Sequence, residues 1–507
     1  MIMYMVISIQ FIFTFITVEA NISIAPMFPL LAEEFHLNQT QLNLLTGVVV
    51  IANGYSNFLI IPFSNILGRR AALLIFGVII CVSNLWGALA TSHASFLAAR
   101  ALVGIAGGTT ETIMVQMVTD MFFLHERGFW MGVYFSAYFM GLFIGPVISG
   151  NIAERHGWRS FFWLSLGLTV FCLIGLLALS PETKYHRDAV VPTAAPSEVA
   201  VTETTRTEDI PNSGKATQDT CTGEHIEGKG DIETETSLKA KRDPEPGFSV
   251  ARKGRPSRRQ FAIIQRPDSR WKSFLVRDLF SPLHVFFFPI ILWAGLNVAG
   301  PANVVLFYNL TESSVLSSPP YHFSEGAVGY SNFAFVVGGL LGMLTAGPLS
   351  DWTAHRLTLR NGGVREAEMR LPALIPYGIL TTIGIVVGSI AYERQYSWPF
   401  ILIFGFGLAG LSVTSVAPIA IAYAVDCYKP ISGEIMVCAT VIKNTCGFVM
   451  AYWVPPLVAR KGLLTVGMVE LALTVGPLLL GIPMYFWGRK FRVLTRSSIV
   501  HRMEAEI

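Results

Sequence analysis

Glu111 lies in the middle of an apolar run, residues 96 to 119, long enough to cross a bilayer. An ionised carboxylate at that depth costs about 2.5–3.5 kcal/mol on insertion scales, so it must face a cavity or a partner. It can bind a cationic group of a substrate, a proton, or each in turn. The plainer alternative is a structural carboxylate hydrogen-bonded between helices. Glu19, well inside the run 5 to 30 and beside Asn21, is a second candidate for the same cavity; the alternative for it is a charge at the external mouth or a partner of another helix. Two carboxylates sharing a low-dielectric space favour holding one proton between them, which proton-coupled exchange requires.

Other polar residues stand at similar depth. Lys443, beside Asn444, falls inside the run 434 to 457 and also needs a partner: a carboxylate paired in one conformation and released in another, or a fixed tie between helices. Asn297 and Asn303 flank Gly300-Pro301, where a locally broken helix offers carbonyls and amides to a ligand, and Asn297 is the preferred contact of the two. Arg100 precedes Glu111 by about three helical turns on a similar face, and its alternative is to snorkel to the interface. Gly141, Gly145, Pro146 and Gly150 space small residues around a proline, allowing close helix approach and a bend. Asp426 and Lys429 stand where gate residues or a solvated turn would be.

These residues need helices in lipid to hold them, and the composition agrees. The chain has 507 residues, 52% hydrophobic and only 14% charged, against about 25% charged in soluble domains. Its mean hydropathy is +0.52. A net charge of +3 is too small to suggest nucleic acid. Apolar runs near 5–30, 43–67, 71–91, 96–119, 129–151 and 158–180, then 284–308, 327–349, 371–391, 397–424, 434–457 and 463–487, predict an all-α integral membrane fold of twelve transmembrane helices in two six-helix bundles. The apolar N-terminus lacks a basic leader region and a cleavage site, so it reads as the first span rather than a signal peptide. The expected organisation is a first bundle over 1–180, a cytoplasmic, largely disordered linker over 181–283, a second bundle over 284–488 and a cytoplasmic tail over 489–507. Pro, Thr, Ser, Glu and Lys dominate the linker, which has too little to bury to offset chain entropy. Its basic end, Arg252 to Arg277, carries Phe261, Trp271 and Phe274 and reads as a positive flank of the seventh span or an amphipathic segment on the inner leaflet.

Lys and Arg concentrate in alternate loops, among them Arg69, Arg70, Arg127, Arg356, Arg360, Arg370 and Arg489, which places both termini and the linker in the cytoplasm. The sequons at Asn38 and Asn309 then fall in loops expected outside and are candidate glycosylation sites, whereas that at Asn21 falls inside a span. None of the six cysteines falls in an external loop, which argues against a disulfide framework. Ile61-Pro-Phe-Ser-Asn65 and Gly347-Pro-Leu-Ser-Asp351 end the second and eighth spans alike, an internal duplication typical of transporters that rock about a midplane site.

Phe63-Ser-Asn-Ile-Leu-Gly-Arg-Arg70, Arg100 to Gly108 and Gly141 to Gly150 resemble motifs of the major facilitator superfamily. Pro181 to Arg187, Arg360 to Arg370 and Tyr423 to Lys429 resemble its twelve-span fungal drug:proton antiporter branch, which includes histidinol- and polyamine-type permeases. The resemblance implies that spans one, four, seven and ten line a central cavity, that Arg100 takes part in proton coupling, and that the span-five glycines and Pro146 bear on efflux direction. It marks Asn65, Gly68, Arg69, Arg70 and Asp351 as cytoplasmic latch residues. Asn65 departs from the aspartate usual in that loop, which weakens pH control of the first latch, while Asp351 keeps it.

The expected function is therefore a proton-coupled secondary transporter that exports hydrophobic or cationic small molecules, with an uptake permease for small organic cations such as polyamines, or a non-transporting nutrient sensor, as alternatives. No Walker-type G-x-x-x-x-G-K-[ST] and no H-E-x-x-H occurs, so neither direct ATP drive nor a zinc-protease site is expected, and the driving force is a proton gradient with no cofactor or metal. The expected protein is no enzyme. It is a multi-pass monomer of the plasma or vacuolar membrane, with a small-molecule substrate and the lipid bilayer as partners and no nucleic acid.

Overall fold

The computed structural model describes residues 2–121, 124–183, 271–428 and 431–495. The helices are α1 Ile2–Ile22, α2 Phe28–Phe35, α3 Gln39–Leu67, α4 Arg69–Leu89, α5 His93–Met121, α6 Leu124–His156 and α7 Trp158–Leu179 in the first half. The second half has α8 Trp271–Val285, α9 Pro289–Leu316, α10 Glu325–Ser331, α11 Phe333–Arg360, α12 Leu374–Glu393, α13 Trp398–Ile401, α14 Leu408–Cys427, α15 Ser432–Leu479 and α16 Gly481–Thr495. Among the described residues, eleven helical segments are long and apolar enough to cross a membrane. The last, Gly433–Leu479, breaks at Gly462, whose φ of 83° is left-handed, so two spans lie within it and the total is twelve.

Local chemistry sets the boundaries. Asn38 begins α3 with a capping box: its side chain accepts the Gln41 N–H at 2.9 Å, and Gln41 Oε1 accepts the Asn38 N–H at 3.0 Å. Gly68, at φ 102°, turns the chain from α3 into α4. The Glu182 carboxylate then accepts the first amides of α4, Arg69 N–H at 2.9 Å and Arg70 N–H at 3.1 Å, the arrangement a helix N-terminus favours for an anion. A side chain at position 68 would collide with that carboxylate.

The bundle's surface is apolar, and its interior holds polar side chains among apolar ones. Thr14, Thr17, Asn57 and Ser412 are fully buried, while Phe171 is 70% and Leu344 68% exposed, as expected where hydrocarbon replaces water.

Three expectations about boundaries change. The stretch expected as linker ends in a helix, α8, packed on α3 and α15; residues 184–270 lie outside the described residues. α16 runs to Thr495, past the expected start of the tail. The seventh span extends to Leu316 rather than 308, because Asn309, Thr311, Glu312 and Ser313 continue the helix with their polar side chains turned inward. Hydropathy ends a span where apolar residues stop, but a helix facing a protein interior need not stop there.

Candidate functional site

A cavity of about 620 Å³ lies between the two halves. Its walls are mostly apolar and aromatic: Tyr134, Phe135, Tyr138, Phe139 and Phe143 from α6, with Ala417, Ile421 and Val425 from α14. Glu111 of α5, Asn303 and Asn309 of α9, Asn332 after α10, and Thr440, Lys443 and Asn444 of α15 supply the polar groups. The fourth, seventh and tenth spans contribute as the resemblance implies. The first contributes only Ile22, and the aromatic wall comes from the fifth. We call the end carrying the basic loops the inner end. The cavity reaches Arg370 and Asp426 there, while at the other end α6 and α10 close together: a Cβ on Gly150 would lie 2.5 Å from the Glu325 carbonyl oxygen, and Tyr330 donates to Asn151 Oδ1 at 2.7 Å.

Glu111 is 6% exposed, and three donors converge on its Oε1: Lys443 Nζ at 2.6 Å, Tyr138 OH at 2.8 Å and Asn53 Nδ2 at 3.3 Å. Its second oxygen is buried without a hydrogen-bond partner. The Lys443 ammonium also lies 5.8 Å from the Tyr138 ring centroid, within cation–π range. Sequence reasoning placed Glu111 and Lys443 separately; the structure makes them one ion pair joining the first half to the second. Asn53 and Tyr138 were missed, although Tyr134 and Tyr138, like Phe135 and Phe139, stand at the i, i+4 spacing of neighbours on a helix face.

Other candidates lie elsewhere. Glu19 does not share the cavity with Glu111: it is 1% exposed and accepts from Ser165 at 3.5 Å, packed where α1 meets α6 and α7. Asn21 is buried against Gly107 of α5 and also lines no part of the cavity. Arg100 does not snorkel. It is 1% exposed and donates to the Ala20 carbonyl at 2.8 Å and to the Asn21 carbonyl, so its charge meets the carbonyl end of α1. The preference for Asn297 over Asn303 is reversed: Asn297 donates to the Trp293 carbonyl at 2.9 Å, away from the cavity, and Asn303 lines it. In the α6 motif, a Cβ on Gly141 would lie 2.7 Å from the Phe15 carbonyl oxygen and one on Gly145 3.1 Å from Glu19 Cα, so both glycines admit α1. Gly150 admits α10 instead, and Pro146 lies inside α6 between these contacts.

At the inner end, Arg370 donates to Asp426 at 2.7 Å and to Asp351 at 3.0 Å, uniting two candidates through an arginine not singled out. The first half repeats this: Arg69 donates to Asp120 at 3.2 Å and to Asn65 Oδ1 at 3.0 Å, while Arg70 donates to the Leu177 carbonyl at 2.6 Å. Asn65 in turn donates to Asp278 of α8, which an aspartate at 65 could not do while ionised. Lys429 lies outside the described residues.

The candidate glycosylation sites separate. Asn38 is exposed, and its side-chain oxygen is the atom that caps α3. Asn309 is corrected: it is 5% exposed, inside α9 and against the cavity, so no glycan fits there.

The family model of the Major Facilitator Superfamily matches residues 7–430. Protein HOL1 of Saccharomyces cerevisiae is 25% identical over 487 residues, 92% of this chain and 82% of that protein. A probable efflux pump, mfs2, of Aspergillus flavus is 22% identical over 424 residues, 84% of this chain and 87% of that protein. The crystal structure of a D-xylose–proton symporter superposes with a TM-score of 0.61 at 14% identity, covering 95% of this chain and 97% of the other. With helical halves, a cavity between them and an arginine–carboxylate cluster at the inner end of each, the chain belongs to the Major Facilitator Superfamily of membrane transporters.

Proposed function

We propose that the protein is a proton-coupled secondary transporter that exports hydrophobic or cationic small molecules by alternating access. The Glu111–Lys443 pair carries this reading. One carboxylate oxygen at the cavity wall holds an ammonium from the opposite half, with side-chain exposures of 6% and 19%. A proton on Glu111, or a substrate cation against it, competes with Lys443 for the same oxygen. Proton and cargo therefore exclude one another, which is the condition for exchange, and either frees Lys443 and loosens one tie between the halves. Aromatic walls suit a hydrophobic or cationic cargo, with about 0.5–2 kcal/mol per cation–π contact. The similarity to the Aspergillus relative, a probable efflux pump, favours export.

The alternative is uptake of a small organic cation such as a polyamine, since a carboxylate serves either direction. We assign export to the plasma membrane, with the vacuolar membrane as the alternative, and the proton gradient as the driving force. Labelled spermidine in cells expressing the protein separates the directions: proton-dependent loss supports export, and proton-dependent accumulation would overturn it. Neither movement, with ethidium also unmoved, would favour the non-transporting sensor.

A further inference from the structure

Glu312 is fully buried in the last turns of α9, one helical turn beyond the cavity-lining Asn309. Its Oε2 accepts from Asn332 Nδ2 at 3.0 Å, and its Oε1 is buried without a hydrogen-bond partner. Among the described residues it forms no ion pair. Asn332 is itself 1% exposed and lines the cavity, so one amide stands between the cavity and this carboxyl group. From α12 Tyr392 packs against α9, its ring centroid 5.3 Å from that of Tyr308 and 6.3 Å from that of Phe307. Among the described residues no cationic side chain pairs with it, so the site suits a carboxyl group that carries a proton.

Its position gives that proton a use. Asn332 immediately follows α10, whose Gly329 packs so tightly on α6 that a Cβ there would lie 2.8 Å from the Pro146 carbonyl oxygen. Any opening of the halves at the outer end must move α10 from α6, and Asn332 with it. We propose that Glu312 is a second proton-binding site, buried behind the seal that α10 forms with α6, that exchanges its proton when α10 leaves α6, while Glu111 serves the cavity. This rests on the proton-coupled reading above.

Infrared difference spectroscopy of the full-length protein in lipid vesicles, stepped between acid and alkaline pH, tests it without knowledge of the substrate. The wild-type spectrum should contain a protonated-carboxyl band that is lost on alkalinisation and is absent from the difference spectrum of Glu312→Gln. Asn332→Ala, which keeps the carboxyl group, should shift the pH at which that band titrates. A difference spectrum unchanged by both substitutions would overturn the proposal, and so would a Glu312 band that never titrates. If Glu312→Gln does not fold, the Asn332→Ala shift decides. Proton flux into the same vesicles keeps the two readings apart. Flux without a titrating Glu312 defeats only this site, and a titrating Glu312 without flux defeats the proton-coupled reading.

Discussion

Lys443 donates to Glu111 at 2.6 Å across 332 residues of sequence, tying α15 of the second half to α5 of the first. Each charge is costly alone in the membrane interior and tolerable when paired. Lys443→Gln should therefore lower stability by about 3–5 kcal/mol, the usual cost of leaving one buried partner behind. The double substitution Glu111→Gln, Lys443→Gln should recover most of that loss. Thermal unfolding of both single variants and the double checks this, and a double-variant loss equal to the sum of the two single losses would mean that the pair is not energetically coupled.

Arg370 holds two carboxylates of unequal burial. Asp351 is 70% exposed in its side chain and Asp426 31%. Asp351→Asn should change stability by less than about 1 kcal/mol, as exposed pairs do, and Asp426→Asn by more. Melting temperatures of the two variants in one detergent would reveal the reverse order if the latch is centred on Asp351.

Asn65 donates to Asp278 while accepting from Arg69, so it joins the end of α3 to α8. Asn65→Asp sets two carboxylates against each other and should loosen α8, raising hydrogen exchange across 271–285. Exchange identical to wild type would show that α8 is held by its other contacts alone.

Gly145→Val inserts a branched side chain where a Cβ already lies 3.1 Å from the α1 backbone. Overpacking of this kind costs about 1–3 kcal/mol, and α6 should be displaced from α1. The transport rate should fall further than the amount of protein at the membrane; a parallel fall would reduce the effect to misfolding.

Asn38 is the sequon expected to carry a glycan. In a glycosylating host, Asn38→Gln should abolish the mobility shift produced by endoglycosidase, and Asn309→Gln should leave it unchanged. A shift lost only on changing Asn309 would place the outer end of α9 in solvent.

Twelve spans were legible because apolar runs of the right length have few other uses, and the duplication was legible in its Pro-x-Ser-Asn and Pro-x-Ser-Asp copies. Glu111 and Lys443 stood out because charge is rare at that depth. That they meet was not legible, since nothing local in either helix names a partner 332 residues away. Glu312 and Asn309 were hidden by their neighbourhood: a polar last turn reads as a loop unless its burial is known. Asp278 was hidden inside a stretch whose composition, taken as a whole, reads as linker.

Proton-coupled export through the Glu111–Lys443 pair is tested most directly by proton flux in vesicles holding wild-type protein or Glu111→Gln, with ethidium and spermidine as trial cargoes. Cargo-dependent proton movement, opposite in direction to the cargo and lost in Glu111→Gln at equal protein amount, is the predicted result. Undiminished proton-coupled movement in Glu111→Gln would contradict it.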